Sequence, residues 1–220
     1  YNLSLVKNPI QSPKTLMPIS VPTLIDLYNK TKLKPHPFET YGKLSDYVER
    51  TCKKGGNFLT ITLRNTMHNP GKNISLELMY NLYLKLTSNF PFLKIVVIPD
   101  QDDFFLDKQY RAFDWLIDES ACVDLALRHS FYSNAILNII TGTGPASILT
   151  NSPNNYIIFG LFNSNDRLST KSNVKASCGI GPGEQFPWGT EFQMADWTDA
   201  SILSIDYLYN TTKDFLNKIS

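Results

Sequence analysis

A glycine-containing turn from Thr141 to Pro145 is the part of the sequence best suited to bind a ligand. It follows a short apolar run, residues 136–140, that is typical of a buried strand, and Pro145 is a residue favoured at the start of a helix. Backbone N–H groups at a strand-to-helix junction are unpaired, and the helix dipole adds partial positive charge. The turn is therefore predicted to bind an anion, typically a phosphate; an ordinary turn that binds nothing is the alternative.

Charged and polar residues after another predicted strand could complete an anion site. Arg64 ends that strand, and its guanidinium suits phosphate oxygens, with a strand-end ion pair as the alternative. Lys72 and Asn73 lie in the loop that follows and are weaker candidates for contacts with a sugar or base. His68, in the same loop, could donate to an anion or act as a base; a plain surface histidine is the alternative.

An aromatic and polar segment near residues 183–197 is a candidate for sugar binding. Amide and carboxylate groups pair with sugar hydroxyls, and an indole face packs on a pyranose ring. The candidate residues are Gln185, Trp188, Glu191 and Gln193. Glu191 is also a weak candidate for a catalytic residue. In the alternative interpretation, the tryptophans anchor this loop onto the core.

The composition limits the class of protein. The chain has 220 residues, is 42% hydrophobic and carries a net charge of +1, which indicates a globular protein and argues against a nucleic-acid binder. No apolar run reaches the roughly 18 residues that cross a bilayer. The three cysteines form no CxxC pair, so we expect no metal bound by them, and their odd number suits a reducing compartment.

The elements that position these residues alternate between strands and helices. Residues 57–64, 93–98, 136–140 and 156–160 are predicted strands, with helices between them and a final helix beginning after Asp199. This order predicts an α/β fold with a doubly wound, mostly parallel sheet and helices on both faces. Residues 1–56 are predicted to form an extended lead-in with short helices, and residues 57–220 a Rossmann-like domain. Residues 161–183 are predicted to form a loop.

The run from Cys122 to Gly160 resembles the second domain of GT-B glycosyltransferases, most closely the heptosyltransferase-like group. The matching pieces are Leu125-Ala126, the strand to Ile140, the Thr143-Gly144-Pro145 turn and a following strand that ends in Phe159-Gly160. A looser resemblance runs from about residue 57 to 197. Where the family has an acidic or Asn-Asp pair before the turn, this chain has Thr141-Gly142, and Ile148-Leu149-Thr150 replaces the usual His-Leu-Ala-Ala.

The resemblance implies a single Rossmann-like domain of GT-B type that binds a nucleotide-sugar. Thr143, Gly144, Pro145 and Ala146 would lie beside the donor diphosphate, together with Thr141, Gly142 and Ser147 of the same turn. Arg64 would neutralise the phosphates. GT-B enzymes usually work without a bound metal, so neither a metal nor another cofactor is expected. The departures before and after the turn leave the donor unassigned.

The function predicted from these observations is glycosyl transfer from a nucleotide-diphosphate sugar in surface polysaccharide or glycoconjugate synthesis. The expected partners are the nucleotide-sugar donor and a glycan or lipid-linked acceptor, with no nucleic acid and no integral membrane segment. An acceptor-binding domain is expected upstream of Tyr1, and the location is expected to be cytoplasmic, including the membrane periphery. One alternative is a non-catalytic sugar- or nucleotide-binding α/β module; another is an unrelated α/β enzyme that transfers acyl or phosphoryl groups.

Overall fold

The computed structural model describes residues 21–34, 42–53, 56–67, 70–106 and 108–219. Within these ranges, five parallel strands form one sheet. The strands are β1 (Phe58–Thr62), β2 (Lys94–Ile98), β3 (Leu137–Thr141), β4 (Tyr156–Phe159) and β5 (Gln193–Ala195). The α-helices are α1 (Val21–Thr31), α2 (Gly42–Val48), α3 (Leu76–Asn89), α4 (Gln101–Phe105), α5 (Ser120–Val123), α6 (Leu125–Asn134), α7 (Ala146–Thr150), α8 (Lys171–Cys178) and α9 (Ile205–Ile219).

The sheet order is β2-β1-β3-β4-β5, and every neighbouring pair is parallel. The chain moves outward from β1 to β2, then returns past β1 to β3 and continues in the other direction. The connections leaving β1 and β3 therefore diverge to opposite faces of the sheet, which creates a topological switch point between these two strands. The predicted α/β, Rossmann-like, doubly wound fold is confirmed.

Two apolar clusters cover the two faces of the sheet. Helices α3 and α9 supply one cluster, in which Leu82 and Leu208 are fully buried. Helices α5, α6, α7 and α8 supply the other, around Phe131 and Ile140. Alternate residues along each strand point to opposite faces, so strands covered on both sides are apolar almost throughout. This explains why β1, β3 and β4 are buried along their whole length.

The segment before β1 is part of this core where the structure describes it. Helix α1 packs against α8, and Val48 and Cys52 are buried in the cluster around α6. The predicted lead-in over residues 1–56 thus contains helices that pack on the domain; its first 20 residues lie outside the described ranges. The boundary at residue 57 stays a prediction.

Several predicted elements have different bounds. Helix α5 is separated from α6, because the Asp124 side chain accepts hydrogen bonds from the Ala126 and Leu127 amides and starts α6 afresh. Asp199 caps a short 3₁₀ turn, and α9 begins only at Ile205. The predicted loop over residues 161–183 contains helix α8.

Candidate functional site

The predicted anion-binding turn lies at the switch point. Strand β3 ends at Thr141, and Gly142 continues beside β4, donating its amide to the Phe159 carbonyl at 3.1 Å. A β-carbon added at Gly142 would lie 3.2 Å from the Gly160 carbonyl oxygen and 3.4 Å from the Leu161 α-carbon. Glycine therefore allows the turn to pack directly against the backbone that follows β4.

The helix after the turn is short and tightly wound. Helix α7 has five residues, and the Ala146 and Ser147 amides donate to the Thr143 and Gly144 carbonyls, both at 3.1 Å. The Ser147 hydroxyl also donates to the Gly144 carbonyl at 2.7 Å. The expectation that these two amides are unpaired is therefore wrong, because the chain winds into short-range turns here.

The remaining donors of the turn are available to a ligand. Among the described residues, the Thr143 and Gly144 amides have no hydrogen-bond partner, and Pro145 has no amide hydrogen. The hydroxyl oxygens of Thr141 and Thr143 are buried and also have no partner within the described part of the chain. Buried polar atoms are paired in most native structures, so such a group of unpaired ones indicates a place for a ligand or water.

Arg64 lies directly beside this turn. It follows β1, the neighbour of β3, and its Nη1 donates to the Gly142 carbonyl at 3.2 Å. Burial lowers the pKa of Arg64, and the carboxylates of Asp100 and Asp102 partly oppose this effect. The structure thus places a half-buried guanidinium on the predicted turn, at the point where ligands bind in open parallel sheets.

The charge of a second cation, Lys72, interacts with that of Arg64. Burial lowers the pKa of Lys72; Cys178 and Asp166 oppose this shift, whereas the nearby charge of Arg64 adds to it. An anion between Lys72 and Arg64 would relieve both the repulsion and the loss of hydration. Arg64 and Lys72, both predicted to contact the ligand, therefore lie within range of each other's charge, with Lys72 in the loop that follows Arg64.

That loop is held in place from two sides. The Asn73 side chain donates to the Thr66 carbonyl at 3.0 Å and accepts from the Thr66 amide at 3.3 Å, which closes the loop on itself. Thr66 also donates its hydroxyl to Asp102 at 2.6 Å. On the other side, the Asn163 side chain donates to the Gly71 carbonyl at 2.5 Å. The Asn73 side chain is thus near the site, but its hydrogen bonds go to the backbone of Thr66. The other candidate of this loop, His68, lies outside the described residues.

The predicted sugar contacts of the later segment lie elsewhere. Buried Gln193 begins β5 and donates to the Ser152 and Asn154 carbonyls, both at 2.8 Å, at the opposite, amino edge of the sheet. Gln185 pairs with the backbone of Ala195 on the outer side of β5, through its amide at 3.0 Å and its oxygen at 2.6 Å. Their side chains hold backbone and are not grouped with Arg64.

Trp188 and Glu191 belong to the same segment. Trp188 is buried and stacks with Phe186, with ring centroids 5.7 Å apart, and its indole N–H donates to the Thr150 carbonyl. These contacts fit the alternative interpretation, in which Trp188 anchors the loop onto the core. Glu191 is exposed two residues before β5, again at the amino edge.

A group that the sequence reasoning missed lies at the carboxyl edge beyond β4 and β5. Phe162, Lys171, Trp197 and Asp199 line a cavity of about 810 Å³ there. A second, smaller cavity of about 390 Å³ lies beside Asn73 and Asp102.

The described residues contain no cluster of three or more His, Cys, Asp or Glu side chains that could hold a metal ion. They also contain no helix that is long and apolar enough to cross a membrane.

Neither a protein-family model nor a curated protein sequence matches this chain. Its fold is similar to solved structures. A glycosyl transferase family 9 protein from Veillonella parvula matches with a TM-score of 0.54 and 11% identity, covering 83% of this chain and 54% of that protein. ADP-heptose LPS heptosyltransferase II of E. coli matches with a TM-score of 0.56 and 8% identity, with the same coverage of 83% and 54%.

A third structure, E. coli heptosyltransferase WaaC with ADP, matches with a TM-score of 0.50 and 14% identity, covering 80% of this chain and 48% of that one. The chain thus spans about half the length of the solved structures it matches. At this low identity the similarity is one of fold. The predicted resemblance to GT-B glycosyltransferases of the heptosyltransferase-like group is confirmed at that level.

Proposed function

We propose that this domain binds the diphosphate of a nucleotide-sugar at the switch point between β1 and β3 and serves as the donor-binding half of a glycosyltransferase. The observation that carries the proposal is the contact of Arg64 with the Gly142 carbonyl, which holds a half-buried guanidinium beside the unpaired Thr143 and Gly144 amides. One of the proteins with a similar fold was solved with ADP, itself a nucleoside diphosphate.

In glycosyl transfer, negative charge develops on the diphosphate as the bond to the sugar breaks. Donors fixed in advance stabilise that charge most effectively where water is excluded. Arg64 offers a fork of N–H groups that matches phosphate oxygens, and Lys72 adds a second charge close to it. The turn amides would bind the remaining oxygens. In this arrangement the chain's own residues neutralise the diphosphate leaving group. We therefore propose that the reaction needs no metal ion.

The acceptor and its base belong to the wider proposal. This chain covers only about half of each protein of similar fold, so we propose that a further domain completes the enzyme. The proposed reaction is transfer to a glycan or lipid-linked acceptor in surface polysaccharide synthesis, on the cytoplasmic side. A domain that binds nucleotides without transferring sugar is the rival, and only an assay of sugar transfer separates the two.

Nucleotide binding is tested by thermal unfolding of the chain with ADP, GDP, UDP and CDP. A nucleotide at about 100 times its Kd stabilises a protein by about 2.7 kcal/mol, which raises Tm by several degrees. Arg64→Ala should lose most of this rise, because one charge-assisted hydrogen bond contributes about 1.5–3 kcal/mol. Arg64→Lys keeps the charge and should retain part of the response.

Lys213→Ala is the matched control, since it removes one positive charge from an exposed position on α9. Its response to nucleotides should equal that of the original protein. The donor-site proposal fails if no nucleoside diphosphate raises Tm. It also fails if a folded Arg64→Ala variant responds as strongly as the control.

A further inference from the structure

The cavity beyond β4 and β5 is larger than the one beside Asn73 and Asp102. Its walls come from the segment after β4, the start of α8 and the segment after β5. The volume of about 810 Å³ lies in the range of small-molecule binding sites. Because β4 and β5 are parallel to β3, the cavity opens on the same edge of the sheet as the turn.

Aromatic rings form one side of this cavity. The Phe162 and Trp197 rings lie 6.1 Å apart between centroids at an interplanar angle of 33°. Phe162 is buried, whereas Trp197 is partly exposed and donates its indole N–H to the Glu184 carbonyl at 3.0 Å. The ammonium of Lys171 lies 4.7 Å from the centroid of the Phe162 ring. The rings are therefore held firmly, and of the two only Trp197 is partly exposed.

Hydrogen-bonding groups form the other side. Asp199 accepts from the Ser164 amide at 2.9 Å and from the Ser201 amide and hydroxyl at 2.9 and 2.8 Å. Burial raises the pKa of Asp199, but these hydrogen bonds outweigh it and lower the pKa to about 2. The carboxylate is thus charged at neutral pH and fixed in orientation. The Thr170 and Ser172 hydroxyls, 3.0 Å apart, add further donors and acceptors.

The buried carboxylate of Asp196 lies next in sequence to this wall. Its Oδ1 accepts from Tyr207 at 2.7 Å and from Thr198 at 3.1 Å, and Thr198 lines the cavity. These bonds fix the Thr198 hydroxyl from behind. The polar side of the cavity is therefore held in place before any ligand arrives, which lowers the entropy that binding would cost.

We propose that this cavity binds a pyranose ring of the acceptor glycan. The exposed part of the Trp197 indole would pack on the C–H face of a sugar, and the fixed Asp199 carboxylate with neighbouring hydroxyls would accept from and donate to sugar hydroxyls. A charged carboxylate disfavours a phosphate, which separates this cavity chemically from the site at Arg64. The assignment to the acceptor rests on the proposed glycosyl transfer, whereas sugar binding itself does not.

Sugar binding is tested without nucleotide, by saturation-transfer NMR with the methyl glycosides of glucose, galactose and N-acetylglucosamine at millimolar concentration. We expect transfer from protein to sugar protons for at least one glycoside. Trp197→Phe keeps an aromatic face and should retain the signal, whereas Trp197→Ala should lose it. Lys171→Ala should weaken binding about three- to tenfold, as expected for the loss of one polar contact at the rim.

Lys175→Ala is the matched control, because Lys175 is exposed on the same helix but does not line the cavity. It should bind as the original protein does. If Trp197→Ala does not fold, the Lys171 and Lys175 variants decide: equal binding by both overturns the proposal. The proposal is also overturned if no glycoside receives saturation, or if adenosine or uridine displaces the bound glycoside, since the cavity would then be a base pocket.

Nucleotide-induced thermal shifts distinguish this proposal from the proposed function. Shifts without any glycoside binding leave the donor site intact and overturn the sugar cavity. Glycoside binding without any shift supports a carbohydrate site and overturns its assignment to an acceptor.

Discussion

The two edges of the sheet use polar side chains in opposite ways. At the amino edge, the Gln193 amide donates to two carbonyls and accepts from the Thr190 amide at 3.1 Å. Asn155 there donates to the Ile136 carbonyl at 3.0 Å. At the carboxyl edge, the hydroxyl oxygens of Thr141 and Thr143 are buried without partners among the described residues. Both edges are polar, but the Thr141 and Thr143 hydroxyls have hydrogen-bonding capacity left over, whereas the Gln193 side chain uses both its N–H donors and its oxygen.

This difference separates residues that stabilise the fold from candidates for binding. A buried polar group with all its partners contributes to stability, whereas one without them costs free energy until something binds it. Composition alone cannot distinguish the two, since glutamine, tryptophan and threonine suit either role. The number of hydrogen bonds that each side chain makes can be used to distinguish them, and mutations at both edges test that distinction.

The largest effect is expected at Gln193. Gln193→Ala removes three hydrogen bonds of a buried side chain and should lower the free energy of unfolding by about 2–4 kcal/mol. Urea denaturation followed by circular dichroism measures this change. Glu191→Ala, an exposed neighbour, should change it by less than about 0.5 kcal/mol. Equal stabilities of the two variants would contradict the structural role of the amino edge.

A smaller effect is expected from the two glycines of the turn. Gly142→Ala places a β-carbon 3.2 Å from the Gly160 carbonyl and should lower the free energy of unfolding by about 1–3 kcal/mol. Gly144→Ala meets nothing within 4 Å and should leave stability nearly unchanged. If a diphosphate approaches the backbone at Gly144, this second variant should weaken nucleotide binding while remaining fully stable. A stable variant with unaltered binding would place the ligand away from Gly144.

Two buried threonines at the ends of neighbouring strands form the next pair. The Thr62 hydroxyl lies 2.9 Å from that of Tyr132, whereas the Thr141 hydroxyl has no partner within the described ranges. Thr62→Val should therefore lower the free energy of unfolding by about 1–2 kcal/mol, and Thr141→Val should leave it unchanged or raise it slightly. Chemical denaturation measures both. Equal losses would show that Thr141 has a partner after all.

The smallest effect concerns Lys72 and pH. Its pKa in the folded chain lies below the usual 10.5, chiefly through burial, so the unfolded chain binds more protons in this range. Stability without ligand should therefore rise slightly as pH increases from the lowered pKa of Lys72 towards that of a free lysine. Nucleotide binding should weaken over the same range, because deprotonation removes the positive charge that we propose binds the phosphates. Lys72→Met should abolish both slopes in a pH series of thermal shifts, and slopes that persist would exclude Lys72 as their source.

Much of the fold could be predicted because its strands are apolar and its helices have recognisable beginnings. The predicted strand over residues 57–64 corresponds to β1, and Ser75, a good N-cap residue, caps α3 with its hydroxyl accepting from the Leu78 amide at 3.1 Å. Strand β5 escaped prediction because it has three residues and lies at the edge. Helix α8 did carry a signal, since Thr170 caps it and Gly179 ends it with a φ of 74°.

The candidate site could be predicted only in part. Arg64 and the turn were placed at strand ends, and parallel strands bring their carboxyl ends together. Which amides remain unpaired depends on how tightly the chain turns after Gly144, and this is not visible in residue types. The cavity lined by Phe162 and Trp197 was missed because its lining comes from distant segments, joined only when β5 pairs with β4.

The hydrogen bond from Asn163 to the Gly71 carbonyl has a consequence for communication between the two proposed sites on the carboxyl edge. It joins the loop that carries Lys72 to the segment that leads into the aromatic cavity, while Gly142 packs against Gly160 between them. A shift of either loop would therefore be transmitted to the other through backbone. If binding at one proposed site shifts its loop, the affinity of the other would change, and by thermodynamic linkage the influence would be equal in both directions.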